Sequence, residues 1–362
     1  MSRDAILAQT SHSQEDSEKC AFLLPIIKEQ LKTARQNNRH IDNYFSKLGI
    51  EIDSIHSLED VPFIPVQMFK FFDLRTCPEQ EIVKILQSSG TTGGQPSRIP
   101  LDKATTLNQI KALKSTLSDY LGKSRKIFLV IDHEGINSPK MAFSARTAGV
   151  RGLSIYAKKI FYLLKEEEGK LVLNMPVIRD VIENYSHEEL YAFGFTYIIW
   201  TVFYEQLKME GIRFAFEHFT LFHGGGWKKM RDLVVSKEIF SETVATLFGT
   251  QSERILDFYG MAEQTGIIFV DCDQGNKHVP GFSQVIIRDP FTLKPCDTGK
   301  TGLIEVMSIL ADSYYDQAVL TEDFGILVGV DGCPCKRKGR YFRFVSRVEK
   351  TELRGCGDTF RE

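Results

Sequence analysis

Two serines, two threonines and three glycines crowd into Ser88–Ser89–Gly90–Thr91–Thr92–Gly93–Gly94, followed by Gln95 and Pro96. Glycines let a backbone come close to an anion, and hydroxyls with free N–H groups donate to phosphate oxygens. The stretch lies between a strand-like Glu81–Leu86 and a helix-like Thr105–Leu121, a setting that suits a phosphate grip. It is not a P-loop, because no lysine follows Gly93 or Gly94, and the G-x-G-x-x-G dinucleotide fingerprint is also missing. A Ser/Thr/Gly surface loop has the same composition.

Further along, Leu221–Phe222–His223 runs into Gly224, Gly225 and Gly226, which reads either as bare backbone for a flat ring or as a tight turn. Asp257–Phe258–Tyr259–Gly260–Met261–Ala262–Glu263 sets an aromatic face beside a glycine, with a carboxylate four residues after the tyrosine. Tyr259 offers a stacking surface to adenine, and Glu263 a ligand to Mg²⁺, which itself bridges phosphates. Asp323, in Thr321–Glu322–Asp323–Phe324–Gly325, is an acid suited to ribose hydroxyls. Arg347 opens the final polar stretch.

A second chemistry is written in cysteines. Five residues separate Cys272 from His278, and Cys333–Pro334–Cys335 follows 54 residues later. Three thiolates and an imidazole suit tetrahedral zinc, with Cys296 a possible competitor. Such a set leaves no open position for water, so its role is structural. The seven cysteines are an odd number and Met1–Glu18 has no signal-like apolar segment, so metal or thiol chemistry is expected rather than disulfides.

The elements that must position these groups read as follows. Residues 15–48 have helical spacing through Cys20, Leu23, Leu24, Ile27 and Leu31, with a kink or restart expected at Pro25. Val61–Val66 is extended, each proline turning its predecessor away from the helical region. Lys126–Ile131 is a buried strand ending at Asp132–His133. A helix over 138–149, a strand over 152–157, a helix over 175–183 and another from His187 are expected to follow. That alternation is the rhythm of an α/β protein.

Composition narrows the classes. With 362 residues, 43% hydrophobic and 25% charged, the chain has ample core for one large or two ordinary domains. The net charge of −2 gives no reason to expect nucleic acid. Phe193–Tyr204, the longest apolar run, is too short for a membrane span, and a cytoplasmic protein is the expectation. One exception in charge stands out. Between Lys336 and Arg354 eight basic residues face two acids, which reads as a solvated run or as a collar for phosphates.

The pieces stand in the order of the adenylate-forming superfamily of acyl-CoA ligases and luciferases, which they resemble from the phosphate loop to the C-terminus. Within it, Phe222–Lys228 and Leu353–Arg354–Gly355–Cys356–Gly357–Asp358 resemble the acyl-protein synthetases, the fatty-acid ligase type of bacterial luminescence, with phenylacetate–CoA ligases as near relatives. The resemblance implies an α/β fold of stacked mixed sheets flanked by helices. It places a nucleotide- and acyl-binding domain at 1–345 and a hinge-like segment with a short tail at 346–362. ATP would lie on Ser88, Ser89, Gly90, Thr91, Thr92, Gly93, Gly224, Gly225, Gly226, Asp257, Tyr259, Gly260, Met261, Asp323 and Arg347. Catalytic roles fall to Glu263 (through Mg²⁺), Thr91 and Cys356.

Some relatives of phenylacetate–CoA ligases also hold zinc in an arrangement that Cys272, His278, Cys333 and Cys335 resemble. The larger C-terminal domain of the superfamily, with its lysine, has no counterpart after Glu349, where 13 residues follow; Lys350 is one stand-in. The implied activity is ATP-dependent conversion of a carboxylic acid, fatty or aromatic, to an acyl-adenylate. Cys356 then accepts the acyl group for delivery to a reductase or carrier. Apolar residues in 190–225 are the expected walls for the acid. A ligase using free CoA and a non-catalytic ATP-binding subunit are the competing readings.

Overall fold

The computed structural model describes residues 2–87, 96–137, 145–226 and 235–348. A six-stranded sheet carries the centre of the chain. Its spatial order is Phe269–Val270, Ile255–Tyr259, His218–Gly224, Glu189–Phe195, Lys126–Val130 and Ala157–Tyr162. All neighbours are parallel except the antiparallel edge strand Phe269–Val270. Every residue of Lys126–Val130 is buried, as expected of a parallel strand covered on both faces. One face packs Ile127, Leu129, Leu190, Leu221 and Phe248 together; the other packs Phe128, Tyr191, Phe193 and Phe222.

A second sheet is antiparallel, in the order Lys277–His278, Arg340–Arg347, Ala318–Val330, Thr301–Ser308 and Ser283–Arg288, with Ile64–Pro65 parallel on Ala318–Val330. The long helix Asp16–Asn37 contributes Leu23, Ile27 and Leu31 to the core that also takes Val285, Val306 and Phe342. Two hairpins complete the strands: Ile82–Gln87 with Arg98–Asp102, and Leu164–Glu167 with Lys170–Leu173. The α/β class and stacked sheets expected from the sequence are therefore present. Among the described residues no helix is long and apolar enough to cross a membrane.

Several local expectations need correcting. The N-terminal helix runs through Pro25 and restarts instead at Asn38, whose side chain accepts from the N–H groups of His40 and Ile41. The segment expected as a strand from 152 finishes a helix, Ala145–Leu153, and a 3-10 turn, Ser154–Tyr156; the strand starts only at Ala157. The helix expected from His187 is the strand Glu189–Phe195, pinned between two parallel neighbours. Short apolar runs carry no periodicity that separates buried strand from buried helix, and tertiary pairing decides. Lys103–Leu121 and Met175–Tyr185 are helices as read.

Candidate functional site

The carboxyl ends of the parallel strands gather most of the described residues expected to bind nucleotide, as the crevice rule for open α/β sheets requires. The strand His218–Gly224 delivers Gly224, Gly225 and Gly226 to this edge, and its neighbour delivers Tyr259. Gly225 has φ +81°, and a Cβ there would meet the Phe195 ring at 2.3 Å; at Gly224 it would meet the Phe258 carbonyl oxygen at 2.9 Å. Bare backbone is therefore demanded at both positions.

Beside this shelf the second sheet supplies the polar partners. The Tyr259 hydroxyl donates to Asp323 Oδ2 at 2.8 Å, and Arg347 Nε donates to Asp323 Oδ1 at 2.9 Å. Asp323 is buried, whereas two-thirds of the Arg347 side chain is exposed and the guanidinium is open to a ligand. Strand pairing sets the geometry, since Asp323 and Arg347 are direct cross-strand partners. The Tyr259 ring stacks 5.8 Å from Phe344. Burial pushes the Tyr259 hydroxyl well above the ordinary tyrosine range, so it stays a donor.

Glu263 sits in the turn Ala262–Gln264, buried, its carbonyl accepting from Tyr314 Oη at 2.9 Å. Burial holds its carboxyl above the ordinary glutamate range, and Ser97, Lys70 and Arg347 offset this only in part. Ser97 is the informative neighbour: it closes the Ser88–Pro96 stretch, whose flanks pair as Gln87 with Arg98 and Leu86 with Ile99. Ser97, beside the start of the strand Arg98–Asp102, thereby stands next to Glu263. Ser88, Ser89, Gly90, Thr91, Thr92 and Gly93 lie outside the described residues, as does the expected acyl acceptor Cys356 and the stand-in Lys350. Gly260 is exposed and Met261 half-buried on the same turn.

Asp257 plays a part that its motif did not announce. Its carboxylate takes Lys277 Nζ at 2.7 Å; Lys277 also reaches Asp271 at 3.2 Å, and Lys237 reaches Asp271 at 2.6 Å. Burial alone would raise the Asp257 carboxyl, but Lys277 and His223 outweigh it and hold it below its ordinary value. Nothing in the spacing of Lys237, Asp257, Asp271 and Lys277 marks this cluster, which forms through tertiary contact. The same is true of a relay through Thr196, whose hydroxyl donates to the Gly224 carbonyl at 3.1 Å and meets His223 Nδ1 at 3.0 Å.

Among the described residues the basic run does not form a collar. Lys338 pairs with Glu15, Arg340 with Asp16, Arg343 with Asn276, and Arg337 lies over the Tyr120 ring at 4.4 Å. Of the described basic residues of that run, Arg347 is the one at the Tyr259–Asp323 edge. The apolar residues of 190–225 are chiefly core: Leu190, Tyr191, Ala192, Phe193, Ile198, Ile199 and Phe203 are all buried.

Cys272, His278, Cys333 and Cys335 converge as expected, their ligand atoms all within 4.8 Å of one another. Cys272 Sγ and Cys333 Sγ are 3.8 Å apart, and Cys335 Sγ is 3.2 Å from His278 Nε2. Four ligands around tetrahedral zinc at ordinary Zn–S lengths have sulfurs about 3.8 Å apart, so the donor set and spacing fit. Burial pushes the Cys272 thiol up to about 12 and the His278 imidazole down to about 3, a hydrophobic pocket in which a neutral imidazole is the resident form. Cys296 is elsewhere, its backbone on Ile287 and its sulfur beside Gly302.

Comparisons with known proteins agree with this architecture. The family model Acyl-protein synthetase, LuxE matches residues 4–362. A long-chain-fatty-acid–luciferin-component ligase of Vibrio harveyi is 24% identical over 341 residues, covering 91% of this chain and 85% of its own. The ligase of the same name from Aliivibrio fischeri is 22% identical over 338 residues with the same coverages. Among solved structures, 2-hydroxyisobutyryl-CoA ligase in complex with 2-HIB-AMP and CoA superposes with a TM-score of 0.73 at 15% identity, over 94% of this chain and 70% of that one. That last likeness is one of fold.

Proposed function

Because this chain belongs to the LuxE family of acyl-protein synthetases, we propose that it activates a long-chain fatty acid with ATP and passes the acyl group to the Cys356 thiol. The observation that carries the reading is the Tyr259–Asp323–Arg347 group beside the Gly224–Gly226 shelf. An adenine ring fits against the glycines and Tyr259. Asp323 accepts from ribose hydroxyls, and Arg347 offers its exposed fork to the α-phosphate. The acid's carboxylate oxygen attacks the α-phosphorus, the bond to the bridging oxygen breaks, and pyrophosphate leaves. The thiolate of Cys356 then attacks the acyl carbon, and AMP departs with the electron pair of the anhydride bond. Holding reactants in line and neutralising charge does most of the work in such chemistry.

Glu263, buried next to Ser97, is the residue to hold Mg²⁺, which supplies charge neutralisation on the phosphates when bound. The loop hydroxyls, Thr91 among them, grip the same phosphates. The Cys272–His278–Cys333–Cys335 set takes a structural zinc. The likeness to the two bacterial long-chain-fatty-acid–luciferin-component ligases supports a long-chain fatty acid as substrate, and a reductase or carrier protein is the acceptor proposed for the acyl group.

The test is a panel of carboxylic acids scored by pyrophosphate release, followed by peptide mass spectrometry. The expected result is acid-dependent release with a mass gain on the Cys356 peptide, lost in Cys356→Ala. Acyl-CoA formation that survives Cys356→Ala would instead make the chain a CoA ligase. No pyrophosphate release with any acid would leave an ATP-binding subunit.

A further inference from the structure

The described part of the site has a charge problem that one side chain is placed to solve. Glu263 brings a buried carboxylate to the spot where a polyanionic triphosphate must sit. In a water-poor site like charges repel strongly, and fixed cations are worth far more than in bulk water. Two described cations, Lys70 and Arg347, lie near enough to draw the Glu263 carboxyl down. Arg347 donates Nε to Asp323, and its exposed fork is the group assigned above to the α-phosphate, which leaves Lys70 without a role.

Lys70 stands on the short helix Met68–Phe71, held in place from three directions. Before it, Val66 N–H donates to the Leu320 carbonyl at 2.9 Å, and Gln67 hydrogen-bonds Glu322, one residue from Asp323. Next to it, buried Phe69 packs edge-on against Tyr314 at 6.1 Å, and the hydroxyl of Tyr314 is the group that holds the Glu263 carbonyl. The helix is thus wedged between the Asp323 strand and the Glu263 turn. The Lys70 ammonium makes no ion pair at contact distance with any described carboxylate, and its side chain is only half-buried. A cation on a helix held this firmly, with no contact carboxylate among the described residues, is placed to meet the anion of a ligand.

We propose that Lys70 is a catalytic residue of the adenylation step, its ammonium resting on phosphate oxygens of ATP beside Glu263. This rests on the carboxylate activation proposed above. Lysine suits the task as a compact point charge that follows moving phosphate oxygens. Charge at the α-phosphate grows as the carboxylate attacks, so the ammonium stabilises that transition state. It has no such part in the later attack of a thiolate on the acyl carbon, where the developing charge lies on the carbonyl oxygen.

The two steps separate experimentally in the full-length protein. Lys70→Gln and Lys70→Arg are assayed for fatty-acid-dependent pyrophosphate release, and separately for Cys356 acylation from synthetic fatty acyl-adenylate. The expected result is a fall of about 100-fold or more in pyrophosphate release for Lys70→Gln, partial rescue in Lys70→Arg, and acylation from preformed adenylate within about twofold of the parent in both. An unchanged rate of pyrophosphate release in Lys70→Gln would overturn the proposal, as would an equal loss in both steps, which marks a structural role. If the parent protein releases no pyrophosphate with any acid, the activation reading itself falls and takes the Lys70 role with it. Release in the parent with an indifferent Lys70→Gln removes only the latter.

Discussion

His223 illustrates how much one buried ring organises. Its Nδ1 meets the Thr196 hydroxyl, which spends its own proton on the Gly224 carbonyl, so Nδ1 carries the hydrogen and the ring is neutral. Burial pushes the imidazole down to about 4, against attraction from Asp257 and Asp271. A group whose folded pKa is depressed below its free value resists protonation only in the native state. Its contribution is therefore complete above pH 6.5, falls as pH drops toward 4, and changes no further below that. The span corresponds to about 3 kcal/mol. Urea midpoints at pH 7 and pH 4.5 should fall further in the parent protein than in His223→Gln, which lacks the titrating ring. An identical fall in both would show that His223 is not the group responsible. His12, also buried and depressed, titrates in the same direction, which is why the comparison is made against the variant rather than on the parent alone.

At the scale of elements, the turn after His218–Gly224 is the most constrained piece of the site. Gly225→Ala forces an L-residue into φ +81° and drives a methyl into the Phe195 ring. Backbone strain of about 1–2 kcal/mol and a clash of similar size are expected. Thermal denaturation should show the loss, and ATP binding by calorimetry should weaken along with it, because the shelf and the strand end move together. A variant of unchanged stability and affinity would mean the glycines are not the floor of the site.

The glycine clusters were legible in the sequence because they are local: Gly224–Gly226, Tyr259, Glu263, Asp323 and Arg347 each announce themselves within a few residues. Their convergence was legible only through the order of the pieces. The strand Glu189–Phe195 was misread because its apolar run fits either element until Lys126–Val130 and His218–Gly224 close on it. The pairing of the described basic residues was not legible for a related reason. Their partners Glu15 and Asp16 come from the other end of the chain, and no spacing rule reports contacts at that separation.

Across the whole molecule, the Cys/His set lies where the two sheets meet. Cys272 follows the edge strand Phe269–Val270 of the parallel sheet, while His278 belongs to the edge strand Lys277–His278 of the antiparallel one. The N-terminal segment wraps the same joint. Gly281 N–H donates to the Ser11 carbonyl at 2.7 Å, Lys338 N–H to the His12 carbonyl at 2.9 Å, and the His12 ring sits edge-on to His278 at 5.9 Å. His12 in turn holds Asp119, at the end of the helix Lys103–Leu121 that follows the hairpin of Ile82–Gln87 with Arg98–Asp102. A zinc at this joint would tie two distant stretches of chain, 272–278 and 333–335, with a single ion, and its binding energy would count directly toward folding. Elemental analysis of protein purified without chelator should give one zinc per chain, and Cys333→Ser should lose it. Chelation should lower the thermal midpoint by several degrees. Hydrogen exchange should rise together in residues 11–16, 272–281 and 331–341, and far less in the strands 126–130 and 189–195. Metal-free protein with unchanged exchange at the joint would rule out the zinc clasp, since the hydrogen bonds of Ser11 and His12 would then suffice to hold the sheets together.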